Sequence, residues 1–504
     1  MTARNPFGLL DDAELPRLAE ALDGQAMTAR FAAAFEKSGA ARATSVRSCL
    51  VEEIYHRPGR SCGVLYRVGL DGPDGRPAEE WLHARMFPRE LLRVRHQKAL
   101  DAVAGGARAL PASGLEPVTL CEDPGMIVWA FPCDPRLPDL PAMADRGLAA
   151  RRFAGSRPVP VTAASPEGPP EPARWRSEFE RIKYMPGKRC VLRYRMTPDT
   201  PDAMHANGHG PETFIAKAYP AGVAADAFRR QRSAWSALRA AGSPVEIAEP
   251  ISHVAGESVV WFEDRSGEGL VAAAARRGWD TMAERAAEAL AAFHLTPIPG
   301  LGPAPGPDDV LEGARERGGK FATWVPAQRD LVQAMLSRLE SRRGSPGERR
   351  PSVAVHGEFR AEHVVLRGER TVLLDLDELS QGDPLLDAAE FVSWLEFREL
   401  CGGSPPLDSA SVSRRFIARY AEAVPWPVEP ARLGWYALAS LVRRLHGAVR
   451  RLAWPALDRL ERDGPRLAER WLSLTDGADV APVVRVPANA SGSLRPAPPG
   501  GGAR

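Results

Sequence analysis

The sequence has few lysines and few cysteines, and it has no long apolar run. Its lysines are Lys37, Lys98, Lys183, Lys188, Lys217 and Lys320, and every other basic residue is arginine. The six cysteines form no C-x-x-C pair and no cluster with histidine, which argues against a zinc motif or a disulfide framework. No apolar run approaches the roughly 18 residues of a membrane span. The first twenty residues are rich in acids and lack an apolar segment, so a signal peptide is not expected and a cytoplasmic location is.

The overall charge is nearly balanced. The chain has 66 basic and 64 acidic residues, for a net charge of +2, so neither nucleic acid nor a membrane surface is expected as a partner. A length of 504 residues predicts about three domains, and 44% hydrophobic and 26% charged residues are typical of a globular protein. Nothing in the sequence indicates an oligomeric state.

The distribution of apolar residues divides the chain into six segments. Short alternating runs typical of strands give way to apolar residues at helical spacing in the second half. The predicted segments are a helical lead (1–45), a strand-rich unit (46–153), a Pro-rich linker (154–173), a second strand-rich unit (174–265), a helical region (266–476) and a disordered tail (477–504). The predicted fold class is therefore α+β.

The two strand-rich units resemble each other. Ile54–Val68 aligns without a gap on Ile182–Met196, with six identities in fifteen positions, and both contain a Pro-Gly turn. We interpret this as an internal duplication; the alternative is that two antiparallel sheets share the same turn chemistry. The third strand carries Lys217 in the second unit and Arg85 in the first.

The strongest chemical signal lies in residues 353–391. An apolar strand is followed by a polar loop containing Glu358, and a hairpin then leads to a buried strand that runs into Asp375 and Asp377. A loop acid, carboxylates at the end of a strand and a distant lysine are the groups that phosphoryl transfer needs, because the protein mainly positions substrates and neutralises charge.

This segment resembles the aminoglycoside phosphotransferase and choline kinase superfamily, a branch of the protein-kinase-like fold. The matching positions are Ala291–His294, His356-Gly357, Asp375, Asp377, Gly382-Asp383-Pro384 and Asp387. The resemblance extends over roughly 175–475. It implies a two-lobe fold in which the second strand-rich unit is the N-terminal lobe, the helical region is the C-terminal lobe and the first unit is a non-catalytic duplicate.

The resemblance also implies a set of site residues, with ATP and Mg²⁺ as cofactors and a small-molecule hydroxyl compound as substrate. The implied catalytic residues are Glu358 and Asp375. The implied metal ligands are Asp375, His363 and Asp377. The implied nucleotide-binding residues are Gly187, Lys188, Lys217, Trp261 and Glu263. His356 is expected to be a scaffold residue of the loop.

The sequence departs from the family pattern at three places. Glu358 stands where the family has an aspartate, which moves the carboxylate by about 1 Å. His363 stands where the family has an asparagine, and imidazole suits Mg²⁺ poorly. The helix after Lys217 has no glutamate to orient the lysine, and only Asp226 and Gln231 are candidates.

Two further interpretations concern the surroundings of the site. Glu390, Trp394, Glu396 and Glu399 share a helical spacing near the motif, and their acids are expected on a solvated face; the alternative is that they bind a polyamine-like substrate. The first unit is expected to shield a sheet edge, to dimerise or to bind a regulatory ligand, and a second nucleotide site there is disfavoured. The leading function is ATP-dependent transfer of phosphate to a hydroxyl group. The alternatives are a pseudokinase-type module that binds nucleotide or metabolite without turnover, and a structural scaffold.

Overall fold

The structure, a computed structural model, describes most of the chain. The described residues are 5–37, 45–71, 76–104, 111, 113–156, 175–198, 212–343 and 350–476. Nearly all of the predicted linker and the whole predicted tail lie outside them. Within these residues, no helix is both long and apolar enough to cross a bilayer.

The N-terminal unit is a five-stranded antiparallel sheet with helices on it. Its elements are α1 (Leu18–Ala21), α2 (Gly24–Lys37), β1 (Val46–Arg57), β2 (Ser61–Asp71), β3 (Pro77–Met86), α3 (Arg89–Ala104), β4 (Val118–Cys121) and β5 (Met126–Ala130). The strand order is β1-β2-β3-β5-β4. On β3 the burial alternates along the strand, as the period of two in a strand with one solvated face requires.

The second unit has the same arrangement. Its elements are α4 (Leu140–Ala144), α5 (Arg146–Ser156), β6 (Trp175–Met185), β7 (Arg189–Pro198), β8 (Glu212–Ala218), α6 (Ala224–Ala240), β9 (Val245–Ile247), β10 (Pro250–Ser252) and β11 (Val259–Glu263). The strand order is β6-β7-β8-β11-β10, which is the order of the first sheet.

The Pro-Gly turns of the two units are built in the same way. Gly59 and Gly187 have φ angles of 70° and 69°, in the left-handed region that glycine adopts without strain. The N–H of Gly59 donates to Asp12 Oδ2 at 2.9 Å, and the N–H of Gly187 donates to Asp134 Oδ2 at 2.7 Å. An aspartate upstream of each sheet therefore holds each turn.

A tyrosine in the second strand of each unit contacts the helix that precedes the sheet. The hydroxyl of Tyr66 donates to the carbonyl of Ala21 at 2.5 Å, and that of Tyr194 donates to the carbonyl of Met143 at 2.6 Å. The segment around Met143 thus packs on the second sheet, although the sequence-based boundaries placed it in the first unit. Each unit therefore includes a helical lead of its own.

The rest of the described chain is mainly helical. Its elements are β12 (Glu268–Gly269), α7 (Leu270–Arg277), α8 (Trp279–His294), α9 (Pro307–Trp324), α10 (Arg329–Ser341), β13 (Val353–Val355), β14 (Val364–Arg367), β15 (Arg370–Leu373), β16 (Ser380–Gly382), α11 (Leu385–Leu400), α12 (Ser409–Ala423), α13 (Pro430–Arg451) and α14 (Trp454–Ser473). The hairpin β14–β15 is antiparallel, β9 joins β15 in parallel, and β13 pairs with β16. Antiparallel sheets followed by helices confirm the predicted α+β class.

Separate apolar cores hold these parts together. One fills the helical region, and another lies under the first sheet. A third joins the two units, because Leu65 and Phe131 of the first pack with Tyr184 and Tyr194 of the second. The first unit also touches the helical region, since α13 lies against β1. Each of these three parts therefore contacts the other two.

Candidate active site

A large cavity lies between the second sheet and the helical region. Its volume is about 2060 Å³, more than the roughly 300–1,000 Å³ of a pocket for one drug-sized ligand, so it has room for two substrates. The predicted site residues on its wall are Gly187, Lys188, Lys217, Glu263, Glu358, His363, Asp375 and Asp377. Arg85 of the first unit is not on this wall.

Two cations face two carboxylates at the centre of the cavity. Lys217 Nζ lies 2.9 Å from Asp375 Oδ1 and 2.6 Å from Asp377 Oδ2. Arg189 Nη1 lies 2.7 Å and 3.0 Å from the same two oxygens. Burial alone would raise the pKa of the Asp375 carboxyl, but Lys217 and Arg189 outweigh it and hold that pKa well below its usual range. Both aspartates thus supply negative charge to the cavity.

The backbone at Asp375 is unusual. Its φ and ψ angles are 63° and 57°, a left-handed conformation that costs an L-residue other than glycine on the order of 1 kcal/mol. This conformation ends the buried strand β15 and starts the short turn of Leu376–Glu378. The Asp375 carboxylate is therefore held by a rigid strand on one side and a fixed turn on the other.

The orienting acid that sequence analysis sought for Lys217 is not on the helix that follows it. Asp226 pairs with Arg229 on an exposed face, and Gln231 donates to the carbonyl of Ala248 at 3.1 Å. The anionic partners of Lys217 are instead the two aspartates after β15. The lysine is thereby positioned although α6 carries no glutamate.

A buried network holds the polar loop after β13. Asp387 Oδ2 accepts from the N–H of His356 at 2.6 Å, and Oδ1 accepts from the N–H of Gly357 at 2.8 Å. His294 Nε2 lies 3.0 Å from Asp387 Oδ2, and its Nδ1 lies 2.7 Å from the hydroxyl of Tyr420. Since a carboxylate only accepts, His294 donates through Nε2 and accepts from the tyrosine through Nδ1.

The loop presents Glu358 beside Asp375. The Glu358 carboxylate is 27% exposed, and its Oε1 lies 3.2 Å from Arg360 Nη1. Ligand atoms of Glu358, His363 and Asp375 all lie within 4.8 Å of one another. His363 Nδ1 donates to the carbonyl of Glu358 at 2.9 Å, and its Nε2 faces the Arg360 guanidinium at 3.0 Å. His363 therefore ties the loop to the strand that ends at Asp375.

His363 is neutral at physiological pH. Burial, with the charge of Arg360 second, lowers its pKa to about 3. A neutral imidazole with Nδ1 protonated leaves a lone pair on Nε2, which Arg360 occupies. The carboxylates of Asp375 and Asp377 have the oxygen chemistry that Mg²⁺ prefers, whereas His363 supplies a softer nitrogen. The donor set therefore fits a divalent cation best through the two aspartates.

One predicted nucleotide contact is wrong. Trp261 is buried in the core between the two units, where its ring lies 5.0 Å from that of Tyr194. Successive residues of a strand face opposite sides of a sheet, so Trp261 points away from the cavity and Phe262 lies on its wall. Glu263, the last residue of β11, also lines the cavity. Phe262 is the aromatic residue at this position of the site.

The helix α11 also differs from expectation. Glu390 is buried and pairs with Arg443 and Arg444, and two arginines outweigh the effect of burial and lower its pKa to about 2. Glu396 is buried as well, and its Oε1 lies 2.8 Å from Arg470. The predicted solvated face of acids is therefore wrong, because each acid is neutralised by an arginine from another helix.

Sequence reasoning gave Tyr219 and Arg230 no role, placed Arg189 in the turn over the phosphates without a partner, and left Arg360 open between substrate and solvent. Arg189 contacts both aspartates, the hydroxyl of Tyr219 donates to Asp377 Oδ1 at 3.0 Å, and Arg230 donates to the carbonyl of Asp377 at 2.8 Å. Arg360 pairs with Glu358. The sequence did not indicate the contacts of these arginines because arginine is abundant throughout this chain. A local indication exists for Arg189, which directly follows the Pro-Gly turn.

Comparisons with known proteins found a matching family model and similar solved structures. Residues 202–423 match the model of the phosphotransferase enzyme family. A search of curated proteins found no match. Among solved structures, a choline/ethanolamine kinase family protein from Mesorhizobium loti has 15% identity, with 66% of this chain and 96% of that one covered and a TM-score of 0.38.

Two other solved structures are similar over comparable lengths. Choline kinase from Cryptosporidium parvum has 9% identity, with 65% of this chain and 95% of that one covered and a TM-score of 0.41. An aminoglycoside phosphotransferase from Streptomyces rimosus has 17% identity, with 52% and 92% covered and a TM-score of 0.35. These scores are too low to support a conclusion by themselves. The family match, which spans Lys217 and the 353–391 segment, confirms the predicted resemblance of residues 202–423 to the phosphotransferase enzyme family.

Proposed function

We propose that this cavity is the active site of a phosphotransferase that moves the γ-phosphate of ATP to a hydroxyl group of a small molecule. The observation that carries the proposal is the convergence of Lys217 and Asp375, 158 residues apart, beside Glu358 in one cavity. A cation for phosphate, a carboxylate for a metal ion and a carboxylate for the hydroxyl proton are the groups that phosphoryl transfer needs. A cytoplasmic location is part of the proposal.

The cations of the cavity would bind the phosphate groups. Lys217 and Arg189 each reach both aspartates and so lie where a nucleotide would bring its phosphate oxygens. The Pro-Gly turn that ends at Lys188 would cover these oxygens, because Gly187 and Lys188 line the cavity and the Asp134 contact to the N–H of Gly187 holds the turn in place. Asp375, with Asp377 or His363, would hold Mg²⁺, which supplies neutralisation of the charge on the transferred group.

Glu358 would serve the acceptor hydroxyl. As the hydroxyl oxygen bonds to the γ-phosphorus, the bridging P–O bond to the β-phosphate breaks and ADP leaves. The hydroxyl proton passes to the Glu358 carboxylate, which acts as general base. Asp387 fixes the backbone of this loop. The loop therefore keeps its position while it carries a glutamate, whose side chain is one methylene longer than that of aspartate.

The acids of α11 limit the choice of acceptor. Glu390, Glu396 and Glu399 are each paired with arginine and are not free to bind the ammonium groups of a polyamine. We therefore infer that cationic acceptors gain nothing from this helix. A neutral polyol or an amino alcohol fits the described wall at least as well as an aminoglycoside.

The alternative is a module that binds nucleotide without turnover. The pairing of both aspartates with Lys217 and Arg189, and of Glu358 with Arg360, favours it, because each of these charged groups already has a partner. ATP and Mg²⁺ must separate these pairs before transfer can occur.

The test is ATP turnover by the full chain across a panel of hydroxyl compounds, measured as ADP release. We expect Asp375→Asn to reduce turnover at least a hundredfold, and Glu358→Gln to do the same through loss of the base. Asp226→Asn is the matched control, since this exposed acid contacts only its own helix.

Two results would decide against the proposal. Full turnover by Glu358→Gln would show that another group accepts the proton. Thermal stabilisation by ATP with no turnover of any acceptor would favour the binding module instead. No stabilisation by ATP at all would leave only the structural scaffold.

We also propose that the two strand-rich units arose by duplication. The shared strand order, the paired aspartate contacts to Gly59 and Gly187 and the paired tyrosine contacts support it. A shared preference for hairpin turns does not account for the contacts to the helical leads.

A further inference from the structure

The first unit carries arginine at the place where the second carries its phosphate-binding lysine. Arg85 on β3 is paired with Gly63 on one side and Ile127 on the other. Lys217 on β8 is paired with Val191 and Val260 in the corresponding strands. The two cations thus occupy equivalent positions of equivalent sheets.

Four other arginines are close enough to Arg85 for their charges to act on it. Burial lowers the pKa of Arg85, and the nearby charges that lower it further come from Arg57, Arg95, Arg136 and Arg450. We call these five residues the arginine cluster. Two of them meet on Phe87, whose ring centroid lies 5.1 Å from the Arg85 guanidinium carbon and 5.7 Å from that of Arg95. The hydroxyl of Ser61 lies 3.3 Å from Arg85 Nη2.

The cluster has no acid among the described residues. None of its guanidinium groups lies within 4.0 Å of a carboxylate of the described chain, whereas Lys217 has two such partners. The Arg450 Nε is buried and has no hydrogen-bond partner in the described structure. Three parts of the chain hold these cations close together without a carboxylate from the described ranges to neutralise them. Their mutual repulsion raises the free energy of the folded protein, and a bound anion would lower it.

The cluster adjoins the active site: Arg136 also lines the catalytic cavity, whereas Arg57, Arg85, Arg95 and Arg450 do not. Asp134 accepts from the N–H of Arg136 through Oδ1 and from the N–H of Gly187 through Oδ2. Arg136 Cδ lies 3.2 Å from the position that a Cβ on Gly187 would take. Arg85, in contrast, does not line the catalytic cavity. One end of the cluster therefore touches the turn over the catalytic phosphates, and the other lies in the first unit.

We propose that the arginine cluster is a second, non-catalytic binding site for a small polyphosphate anion. The planar fork of arginine matches phosphate oxygens, and Ser61 adds a hydroxyl donor. Five positive charges exceed what one carboxylate can neutralise, whereas two linked phosphate groups supply several negative charges over a short span. The site is formed by the first unit, the loop after β5 and the end of α13.

The test is calorimetric titration of the full chain with inorganic pyrophosphate in buffer free of Mg²⁺. Binding at the cluster should survive Lys217→Met, which weakens only the catalytic cavity. The double variant Arg85→Gln/Arg450→Gln should bind at least a hundredfold more weakly, at about tenfold for each charged hydrogen-bond donor removed. Arg93→Gln, an exposed arginine of the same helix as Arg95, is the matched control and should bind within twofold of wild type.

The proposal fails under any of three results. They are no pyrophosphate binding by the wild type, loss of all binding in Lys217→Met, and binding by the double variant as tight as that of Arg93→Gln. If the double variant does not fold, Arg57→Gln and Arg95→Gln replace it, because both side chains are exposed, and each should weaken binding about tenfold. Repeating the titration of Lys217→Met with ADP distinguishes two kinds of ligand. An affinity for ADP equal to that for pyrophosphate indicates that the cluster recognises phosphate groups alone, and a higher affinity for ADP indicates that it recognises a nucleotide.

Discussion

Asp387→Asn tests whether the buried network around Asp387 holds the catalytic loop. The carboxylate accepts from the N–H groups of His356 and Gly357 and from His294, and both its side chain and that of His294 are fully buried. An asparagine has only one oxygen, so its NH₂ group must face at least one of these donors. The lost acceptor is a charge-assisted hydrogen bond worth roughly 1.5–3 kcal/mol, and the facing donors add to the loss.

We expect Asp387→Asn to lower the free energy of unfolding by about 3 kcal/mol. At roughly 2 °C per kcal/mol for a unit of more than 200 residues, the unfolding temperature should fall by about 6 °C. Since a loop displaced by about 1 Å costs on the order of a hundredfold in rate, turnover should fall as well. Thermal unfolding followed by circular dichroism and ADP release measure the two effects.

The control is Asp280→Asn, because Asp280 is more than half exposed and its nearest cation, on Arg415, lies 3.7 Å away. This variant should change stability by less than about 0.5 kcal/mol. If Asp387→Asn unfolds at the same temperature as the control, the network is not a source of stability. A variant that is stable but inactive would instead assign Asp387 to the chemistry.

Three other predictions follow from burial and charge. Burial raises the pKa of Glu390, but its two arginine partners lower it to about 2 from the usual 4.5, so its stabilisation is present above about pH 4.5 and is lost as the pH falls toward 2. Glu390→Gln should remove about 3 kcal/mol of the decrease in the free energy of unfolding across this pH window, and the exposed Glu312→Gln should not. Trp261→Ala should cost about 3 kcal/mol in thermal unfolding yet leave ATP affinity unchanged, whereas Phe262→Ala should weaken ATP binding about tenfold. In anion-free buffer Arg85→Gln should raise stability by a few tenths of a kcal/mol, because it removes a cation that has no carboxylate partner among the described residues; a loss of stability would mean that the contacts of Arg85 with Ser61 and Phe87 outweigh the repulsion between the arginines.

Much of the site could be predicted because its residues are close together in sequence. The segment 353–391 contains Glu358, Asp375 and Asp377, and the hairpin β14–β15 brings them together without help from distant parts. Lys217 could be named because lysine is rare here and because the strand pattern placed it on a third strand. The strands themselves were visible through their alternation and through the Pro-Gly turns.

Contacts between distant residues could not be predicted. Nothing local distinguishes Arg189, which reaches Asp375 across 186 residues, from the many other arginines of the chain. Whether Glu390 is solvated or paired likewise depends on Arg443 and Arg444 from another helix. Trp261 was misassigned because a shift of one residue along a strand moves a side chain to the opposite face.

The sequence by itself determined the α+β class, the resemblance between the two units and the phosphotransferase motif, because each is written in short local patterns of residues. Only the tertiary structure decided which cations face Asp375, which side of the sheet Trp261 takes and which acids remain free. It also brought together the arginine cluster, whose members come from the first unit, the loop after β5 and the end of α13. Charge acts over a few ångströms in space regardless of separation along the chain, so the pairing of each charge is a property of the folded chain.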